Sequence, residues 1–295
     1  MQLASEVANS GFRMEAESLK KQSWIARIYL KFQMEEDKTL MVRSRHLGPL
    51  RIQRPFYPEG KRLCQVILLH PPGGIAGGDD LEISLEVDEH AQAQITTPGA
   101  TKWYKCDGGN KSKQKLLLKV CSGAQLEWVP QDNIIFNSAN VDNVQSVFLE
   151  KGSSFLFWDI VDLGPMGSKR SFKAGCFKSR LDVFLEGDLL FAERTLIEGN
   201  SNYLKSVANL YGKKCFGLLV SVANQPIDSV LWEKIKIFSA EQELCAVSKI
   251  SDMALVARWM GNSPEVGRNW FYKLWQIIRP WYSGRDALRP RIWQT

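Results

Sequence analysis

The sequence predicts a mostly β protein with two helices toward its C-terminal end. Short apolar segments alternate with polar residues at a period of two, which is typical of strands with one buried and one solvated face. Turn residues such as Ser122-Gly123, Lys151-Gly152 and Gly187-Asp188 separate these segments. No long helical segment lies between successive strands. This spacing favours an antiparallel-rich β architecture over β-α-β units.

The predicted strands follow this alternation from the start of the chain. The segment Leu81–Val87 alternates most regularly, and the turn at 88–90 is predicted to return the chain in a β-hairpin. The other predicted strands are Trp24–Phe32, two strands within Thr39–Phe56 on either side of an RHLGP turn, Ala91–Ile95, Lys115–Val120, Ala124–Val129, Val144–Leu149, Phe155–Val161, Phe177–Leu185 and Leu189–Ala192.

Two helices are predicted after the strands. The first, Ser229–Phe238, is entered from Asp228 and has apolar residues at helical spacing. The second starts at Ser263, a capping residue type, with Pro264 at the first helical position, and Pro280 is predicted to end it. Its apolar stripe comprises Val266, Trp270, Leu274 and Ile277.

Composition narrows the class of protein. The chain has 295 residues, a formal net charge of +6 and no RNA- or DNA-binding signature. Its six cysteines are scattered without a C-x-x-C pair, which is neither a zinc ribbon nor a dense disulfide framework. Residues 1–22 are polar, so we expect a peripheral leader and not a signal peptide. No apolar run approaches the roughly 20 residues of a membrane span. A cytoplasmic protein with reduced thiols is expected.

A glycine-rich loop lies at the centre of the sequence, between Leu68 and Lys105. It does not fit a P-loop, because Asp79-Asp80 stands where a phosphate-binding Lys-Ser would be needed. It does not fit a dinucleotide fingerprint either, because a strand follows the loop instead of a helix. No G-x-S-x-G motif occurs, and the three histidines are not spaced as helix ligands. Nothing in the pattern favours catalysis.

Two carboxylates interrupt apolar strands. Asp159 lies within FLFWDIV, and Glu193 follows LLFA directly before Arg194. A fully buried ionised carboxylate costs several kcal/mol unless it is paired or hydrated. Two interpretations stay open for both residues. Each carboxylate faces solvent or forms an ion pair with an arginine, or it lines a hydrated internal passage that handles a cation weakly.

Five separated motifs carry a resemblance to a known family. In chain order they are RHLGPLRIQRPFYPEG, HPPGGIAGGD, TTPGATKWY, LEWVPQDNIIF and GRDALRPRIWQT. Together they resemble the urease accessory proteins of the UreD/UreH type. The resemblance implies that residues 23–295 form one β-rich domain, a β-helix-like stack of two sheets, which periodicity alone does not distinguish from a sandwich. It also implies a non-enzymatic chaperone for nickel insertion into apo-urease, which binds UreF, the GTPase UreG through UreF, and apo-urease.

The resemblance also implies roles for individual residues. Asp159 and Glu193 match charged positions of the family, and Asp79, Thr101 and Lys102 join them as candidates for the lining of a passage. Nickel would be handled transiently, without a permanent cofactor. Its soft-ligand candidates are His70, Cys64 and Cys106, and a structural role remains the alternative for each. The chain departs from the family at LGPMGSKRSF, where a G-R-P-x-x-G-E pattern is usual.

Aromatic and basic residues near the C-terminal end predict partner docking. The candidates are Trp270, Phe271, Trp275, Arg285, Arg289 and Arg291. The three aromatic residues do not share one helical stripe, so part of their surface is expected to stay available. Deletion from Gly284 onward is expected to weaken a complex and leave the β core folded. Two other functional classes remain open, namely a hydrolase with its site at the glycine loop and a β-rich binding protein unrelated to metals.

Overall fold

The computed structural model describes residues 23–106, 109–164, 171–199 and 201–294. Within these residues, seventeen strands form two stacked sheets, and two α-helices lie toward the C-terminal end. This confirms the predicted mostly β fold. The predicted leader at 1–22 lies outside the described residues, as do Pro165 and Lys169 of the segment that departs from the family pattern.

The elements follow one another along the chain with short connections. They are β1 Ile25–Glu35, β2 Lys38–Leu47, β3 Arg51–Ile52, β4 Leu63–Leu69, β5 Asp80–Val87, β6 Gln92–Thr96, β7 Thr101–Trp103, β8 Ser112–Val120, β9 Gln125–Trp128, β10 Asn133–Ile135, β11 Asn140–Leu149, β12 Ser154–Asp162, β13 Cys176–Leu185, β14 Asp188–Glu198, β15 Cys215–Val222, α1 Ser229–Ala240, β16 Cys245–Ser251, β17 Ala254–Gly261 and α2 Pro264–Ser283. Single 3-10 turns occupy Asn202–Lys205 and Arg291–Gln294.

The strands divide between a seven-stranded and a ten-stranded sheet. The seven-stranded sheet has the order β14-β13-β11-β8-β5-β1-β2. The main path of the ten-stranded sheet is β16-β17-β15-β12-β9-β6-β4-β3, and β10 pairs with both β12 and β7. In the seven-stranded sheet β1, β5, β8, β11 and β13 run parallel, as do β4, β6, β9 and β12 in the other. Antiparallel pairs flank both parallel sets.

The predicted antiparallel-rich pairing is therefore wrong for the centre of the molecule. The tight turns after β5, β8 and β11 do not form hairpins, because each carries the chain from the seven-stranded sheet to the ten-stranded sheet. The chain thus winds in stacked coils, and successive coils pair in parallel. The turn at Gly187-Asp188 does form an antiparallel hairpin, between β13 and β14. Turn residues alone do not distinguish the two geometries, since both need a short reversal.

Two hydrophobic cores result. The larger core lies between the inner faces of the two sheets and contains residues such as Ile83, Leu118 and Phe157. The second core lies on the outer face of the ten-stranded sheet, where Trp158 and Leu219 pack against α2. Strand β12 serves both cores, because its alternate side chains point to opposite faces.

Helix α2 differs from its prediction at both ends. Ser263 occupies the N-cap position, but its side chain makes no capping hydrogen bond. The helix continues through Pro280 to Ser283 and ends at Gly284, whose φ of 67° lies in the left-handed region that favours glycine. Pro280 has no N–H to donate to the carbonyl of Gln276, yet the helix continues for three more residues. Val266 of the predicted stripe is half exposed. No described helix has both the length and the apolar character of a membrane span.

Candidate functional site

Two neighbouring cavities, each partly open to solvent, extend inward between the sheets, and they are called the interior cavities below. The first, of about 310 Å³, is bordered by His70, the 97–102 loop and inward side chains of β5, β8 and β11, and we call it the His70 cavity. The second, of about 400 Å³, is bordered by β13, β14, β15, β17 and the 208–210 segment, and we call it the Glu193 cavity. Gln145 and Asp159 border both cavities. This pair therefore stands between them.

The pair joins the two sheets. Gln145 lies on β11 and Asp159 on β12, and the Gln145 Nε2 donates to Asp159 Oδ2 at 3.4 Å. Asn133 Nδ2 donates to the other oxygen, Oδ1, at 2.7 Å. Burial raises the pKa of Asp159, while these two hydrogen bonds oppose the rise and the nearby carboxylate of Asp132 adds to it. Asp159 thus has amide partners at both oxygens and no cationic partner among the described residues.

A chain of polar side chains extends from this pair along the inner faces. Gln145 and Asn143 both donate to Ser179 Oγ, at 3.5 and 3.4 Å. Asn143 Oδ1 accepts from Gln114 at 3.3 Å. Every one of these side chains borders at least one of the two cavities. Amide and hydroxyl groups that face a cavity of this size hold water readily, since water completes their hydrogen bonds.

Sequence reasoning missed this polar chain, although a signal for it was present. The alternation of β11 places Val141, Asn143, Gln145 and Val147 on the same buried face. Two amides on an otherwise apolar face indicate an interior that is not dry. The same period-two rule that located the strand would have identified them.

Glu193 borders the Glu193 cavity and forms an ion pair there. Its Oε2 lies 2.5 Å from Nη2 of Arg258 on β17. The neighbouring Arg194 pairs instead with Asp182 on β13. Glu193 thus forms an ion pair with an arginine, as the first interpretation predicts, and it also borders a cavity, while a hydrated passage stays a prediction.

The other predicted lining residues separate into two groups. Thr101 and Lys102 border the His70 cavity, with Lys102 exposed, so that its stem lines the cavity while its charge reaches solvent. Asp79 borders neither of the two cavities. Its carboxylate accepts from the backbone N–H of Trp24 at 2.9 Å and of Ala76 at 2.8 Å. The prediction for Asp79 is therefore wrong, since this residue clamps the glycine loop onto the start of β1.

The glycine loop itself packs closely against the chain that follows it. The backbone N–H of Ile75 donates to the Lys102 carbonyl at 2.7 Å, and the N–H of Tyr104 donates to the Ile75 carbonyl at 2.8 Å. A Cβ at Gly74 would lie 2.8 Å from the Lys102 carbonyl oxygen, too close for any other residue. The glycines thus allow the loop to pair with β7 at the edge of the His70 cavity.

One of the three candidate nickel ligands borders a cavity. His70 does so, and burial lowers the pKa of its imidazole, which favours the neutral form that coordinates metals. Cys64 is fully buried, and burial raises the pKa of its thiol to about 11, so it is a poor ligand. Cys106 accepts from the Asn140 backbone N–H at 3.2 Å and borders neither cavity. Among the described residues, no three His, Cys, Asp or Glu side chains form a metal-binding group.

The predicted docking aromatics are not on the surface. Trp270, Phe271 and Trp275 are all buried in the second core. The expectation that part of them stays available is wrong, because α2 is covered by the ten-stranded sheet on one side and by α1 and residues 287–293 on the other.

Two of the three predicted docking arginines have partners within the chain. Arg285 donates to Gln92 at 2.7 Å, and Arg289 lies 4.3 Å from the ring centre of Tyr272. Arg291 is exposed. Trp293 donates to Thr96 at 2.8 Å and packs against Trp158. The residues after Gly284 thus cover the outer face of the ten-stranded sheet, so their deletion would uncover part of the second core.

Comparison with known proteins yields one consistent match. The family model described as the UreD urease accessory protein matches residues 25–294. The urease accessory protein UreD of Dechloromonas aromatica (strain RCB) is 41% identical over 276 residues, covering 92% of this chain and 95% of that protein. Its counterpart in Pseudomonas fluorescens (strain Pf0-1) is 41% identical over 273 residues, with 92% and 96% covered. The one in Methylobacillus flagellatus (strain ATCC 51484 / DSM 6875 / VKM B-1610 / KT) is 35% identical over 274 residues, with 92% and 95% covered.

Proposed function

This chain belongs to the UreD family of urease accessory proteins, and on that premise we propose that it is a non-catalytic chaperone that passes nickel toward apo-urease through its interior. Membership of the family implies a role in urease maturation. The passage of nickel through the interior is the finer part of the proposal. The observation that carries it is the Gln145–Asp159 pair, which borders both interior cavities.

The proposed route runs from the His70 cavity past this pair to the Glu193 cavity. Nickel is here the cargo, and the groups along the route are suited to weak handling. Carboxylate, amide and water oxygens bind nickel less tightly than imidazole or thiolate does. The neutral imidazole of His70 is the strongest ligand type at the first cavity. A tight site would retain its metal, so weak oxygen ligands favour transfer.

The partners of the chain follow from the same proposal. We propose that UreF binds this protein, that the GTPase UreG joins through UreF, and that apo-urease receives the metal. The six cysteines carry free thiols in the structure, which supports activity in the reducing cytoplasm. The hydrolase alternative receives no support from the glycine loop, whose contacts hold β7 in place.

The test replaces an oxygen lining by an apolar side chain. Asp159→Leu should leave UreF and urease capture intact and reduce urease nickel content and activity severely, because leucine removes the carboxylate between the cavities and narrows the gap. Glu193→Leu should act in the same direction but less strongly, since Glu193 lies at one end of the route. Asp188→Leu is the control, because Asp188 is exposed at the start of β14 and borders neither cavity.

Nickel content and capture are measured together in cells that express each variant. Normal nickel loading by an intact Asp159→Leu complex would contradict the passage. Should this variant fail to accumulate, Gln145→Leu provides the second test, since it alters the other half of the pair without removing a charge.

A further inference from the structure

A third cavity, separate from the two interior ones, is rich in lysine. It has a volume of about 270 Å³ and lies where the ends of β12 and β15 meet the 201–214 segment. Its lining includes Lys173, Lys205, Lys213 and Lys214 and no aspartate or glutamate among the described residues. We call it the lysine cavity.

The four ammonium groups have no partner within the described part of the chain. None of them forms an ion pair or a side-chain hydrogen bond there, whereas Lys31, Lys61 and Lys236 each pair with a carboxylate. Four lysines and no acidic residue in the described lining make the local potential positive, which attracts anionic groups. The cavity therefore selects for negative charge.

The surroundings of the cavity indicate more than a small ion. Buried Leu163 and Phe172 form an apolar base within it. The adjoining segment exposes Val207 by 79% and Tyr211 by 54%, and Val207 is the most exposed large apolar residue of the described chain. Exposed apolar and aromatic side chains of this kind are typical of protein interfaces. An inorganic anion would leave that apolar surface uncovered.

We propose that the lysine cavity and the 201–214 segment form a docking surface for an acidic segment of a partner protein. Aspartate or glutamate side chains of the partner enter among the four lysines, and its apolar side chains cover Val207 and Tyr211. The same segment contributes residues 208–210 to the wall of the Glu193 cavity. A docked partner therefore lies beside one end of the interior cavities. The docking surface does not depend on passage of nickel.

The test uses the full chain and a defined probe. A fluorescein-labelled peptide of alternating glutamate and leucine is titrated, with fluorescence anisotropy as the readout. Lys205→Glu combined with Lys213→Glu should weaken binding roughly tenfold or more, since two attractive pairs become repulsive. Lys115→Glu combined with Lys119→Glu is the matched control. It makes the same charge change at exposed positions of β8 and should leave affinity within about twofold.

Three results would overturn the proposal. Equal weakening by the cavity pair and the β8 pair would show that the peptide senses only overall charge. Displacement of the peptide by inorganic phosphate at equal ionic strength and similar concentration would assign the cavity to small oxyanions. If the double variant Val207→Ser, Tyr211→Ser binds the peptide with unchanged affinity, the apolar side chains do not take part in docking. If the double glutamate variant fails to fold by circular dichroism, Lys205→Gln with Lys213→Gln replaces it, with about a threefold loss expected.

Discussion

Two acids on paired strands of the same sheet, Glu127 fully buried and Asp159 partly buried, have opposite surroundings. Glu127 lies on β9 and Asp159 on β12, and these strands are hydrogen-bonded neighbours in the ten-stranded sheet. Glu127 points to the outer face, under α2, and Asp159 points inward, between the two sheets. The pair shows two ways in which a fold keeps a carboxylate away from bulk solvent.

Glu127 is neutralised by a fixed cation. Its oxygens lie 2.9 and 3.0 Å from Nε and Nη2 of Arg279, and both residues are fully buried. Glu127 also accepts from Tyr282 at 2.7 Å and from Gln94 at 2.5 Å. Burial alone would lower the pKa of Arg279, but the carboxylates of Glu127 and Glu59 outweigh it and raise that pKa, so the guanidinium stays charged.

The carboxylate of Glu127 faces an arginine, whereas the carboxylate of Asp159 faces two cavities. Its partners are amides, and it borders about 310 and 400 Å³ of space on its two sides. The two donors of Arg279 together with Tyr282 and Gln94 occupy the roughly four lone-pair sites of Glu127. Asp159, held by single amide contacts, instead keeps lone pairs for water or a cation. The comparison teaches that the acid with the stronger partners is fixed within the fold, whereas the acid with the weaker partners can still accept hydrogen bonds from water.

The largest expected loss of stability follows from removing the arginine that neutralises Glu127. Arg279→Leu should destabilise the protein by about 3–5 kcal/mol, because it leaves Glu127 and Glu59 buried without a counter-charge. Urea unfolding followed by tryptophan fluorescence measures the change. The exposed Arg43→Leu provides the control and should shift stability little. A small effect of Arg279→Leu would mean that water reaches Glu127.

Removing one hydrogen bond to Glu127 should have a smaller effect on stability. Tyr282→Phe removes the hydroxyl that donates to Glu127 and accepts from Trp275 Nε1 at 2.6 Å. We expect a loss of about 1.5–3 kcal/mol, the range for hydrogen bonds to charged groups. Tyr29→Phe is a suitable reference, since its hydroxyl donates to Glu86 on the more accessible face of the seven-stranded sheet. Equal losses in the two variants would remove the distinction between buried and accessible partners.

The smallest effect concerns Asp159 and has the opposite sign. Burial raises its pKa above the ordinary 3.8, so its contribution to folding is complete below pH 3.8 and is lost as the pH rises through the raised value. Asp159→Asn does not titrate, so it should be more stable than the parent at pH 7, by about 1 kcal/mol. The difference should shrink toward pH 4 in urea unfolding. A parent more stable than the Asn variant at pH 7 would contradict this expectation and would show that the hydrogen bonds from Asn133 and Gln145 to the carboxylate outweigh its burial. Asp188→Asn, at the exposed start of β14, serves as the control.

The sequence predicted many of the strands and predicted their pairing poorly. Alternation is a local property, and it located eleven of the seventeen described strands but not β4, β7, β10, β15, β16 or β17. Whether a tight turn makes a hairpin or carries the chain to the opposite sheet depends on distant coils, which local residues do not report. The family resemblance supplied the stacked-sheet arrangement that periodicity left open.

The candidate site was also predictable only in part. The sequence indicated one of its residues but not the partners of that residue. Asp159 was recognisable because a carboxylate interrupts an apolar run, and Glu127 in LEWV is an equally clear interruption that was not singled out. Their difference arises from partners far along the chain, since Arg279 follows Glu127 by 152 residues. The aromatic residues of α2 were misassigned for a related reason. A helix covered on two sides buries more than one stripe, and only the tertiary structure shows the second cover.

The buried arginine also has a consequence for biosynthesis. Arg279 contacts Glu59, which precedes it by 220 residues, and it is the cation that neutralises Glu127. While the nascent chain emerges, the coils of both sheets can form, but Glu59 and Glu127 must stay in water on an open outer face. That face closes only when residues 264–293 have left the ribosome. Until then the polypeptide presents Trp158 and its neighbours uncovered, a stage at which general folding chaperones have the most surface to bind.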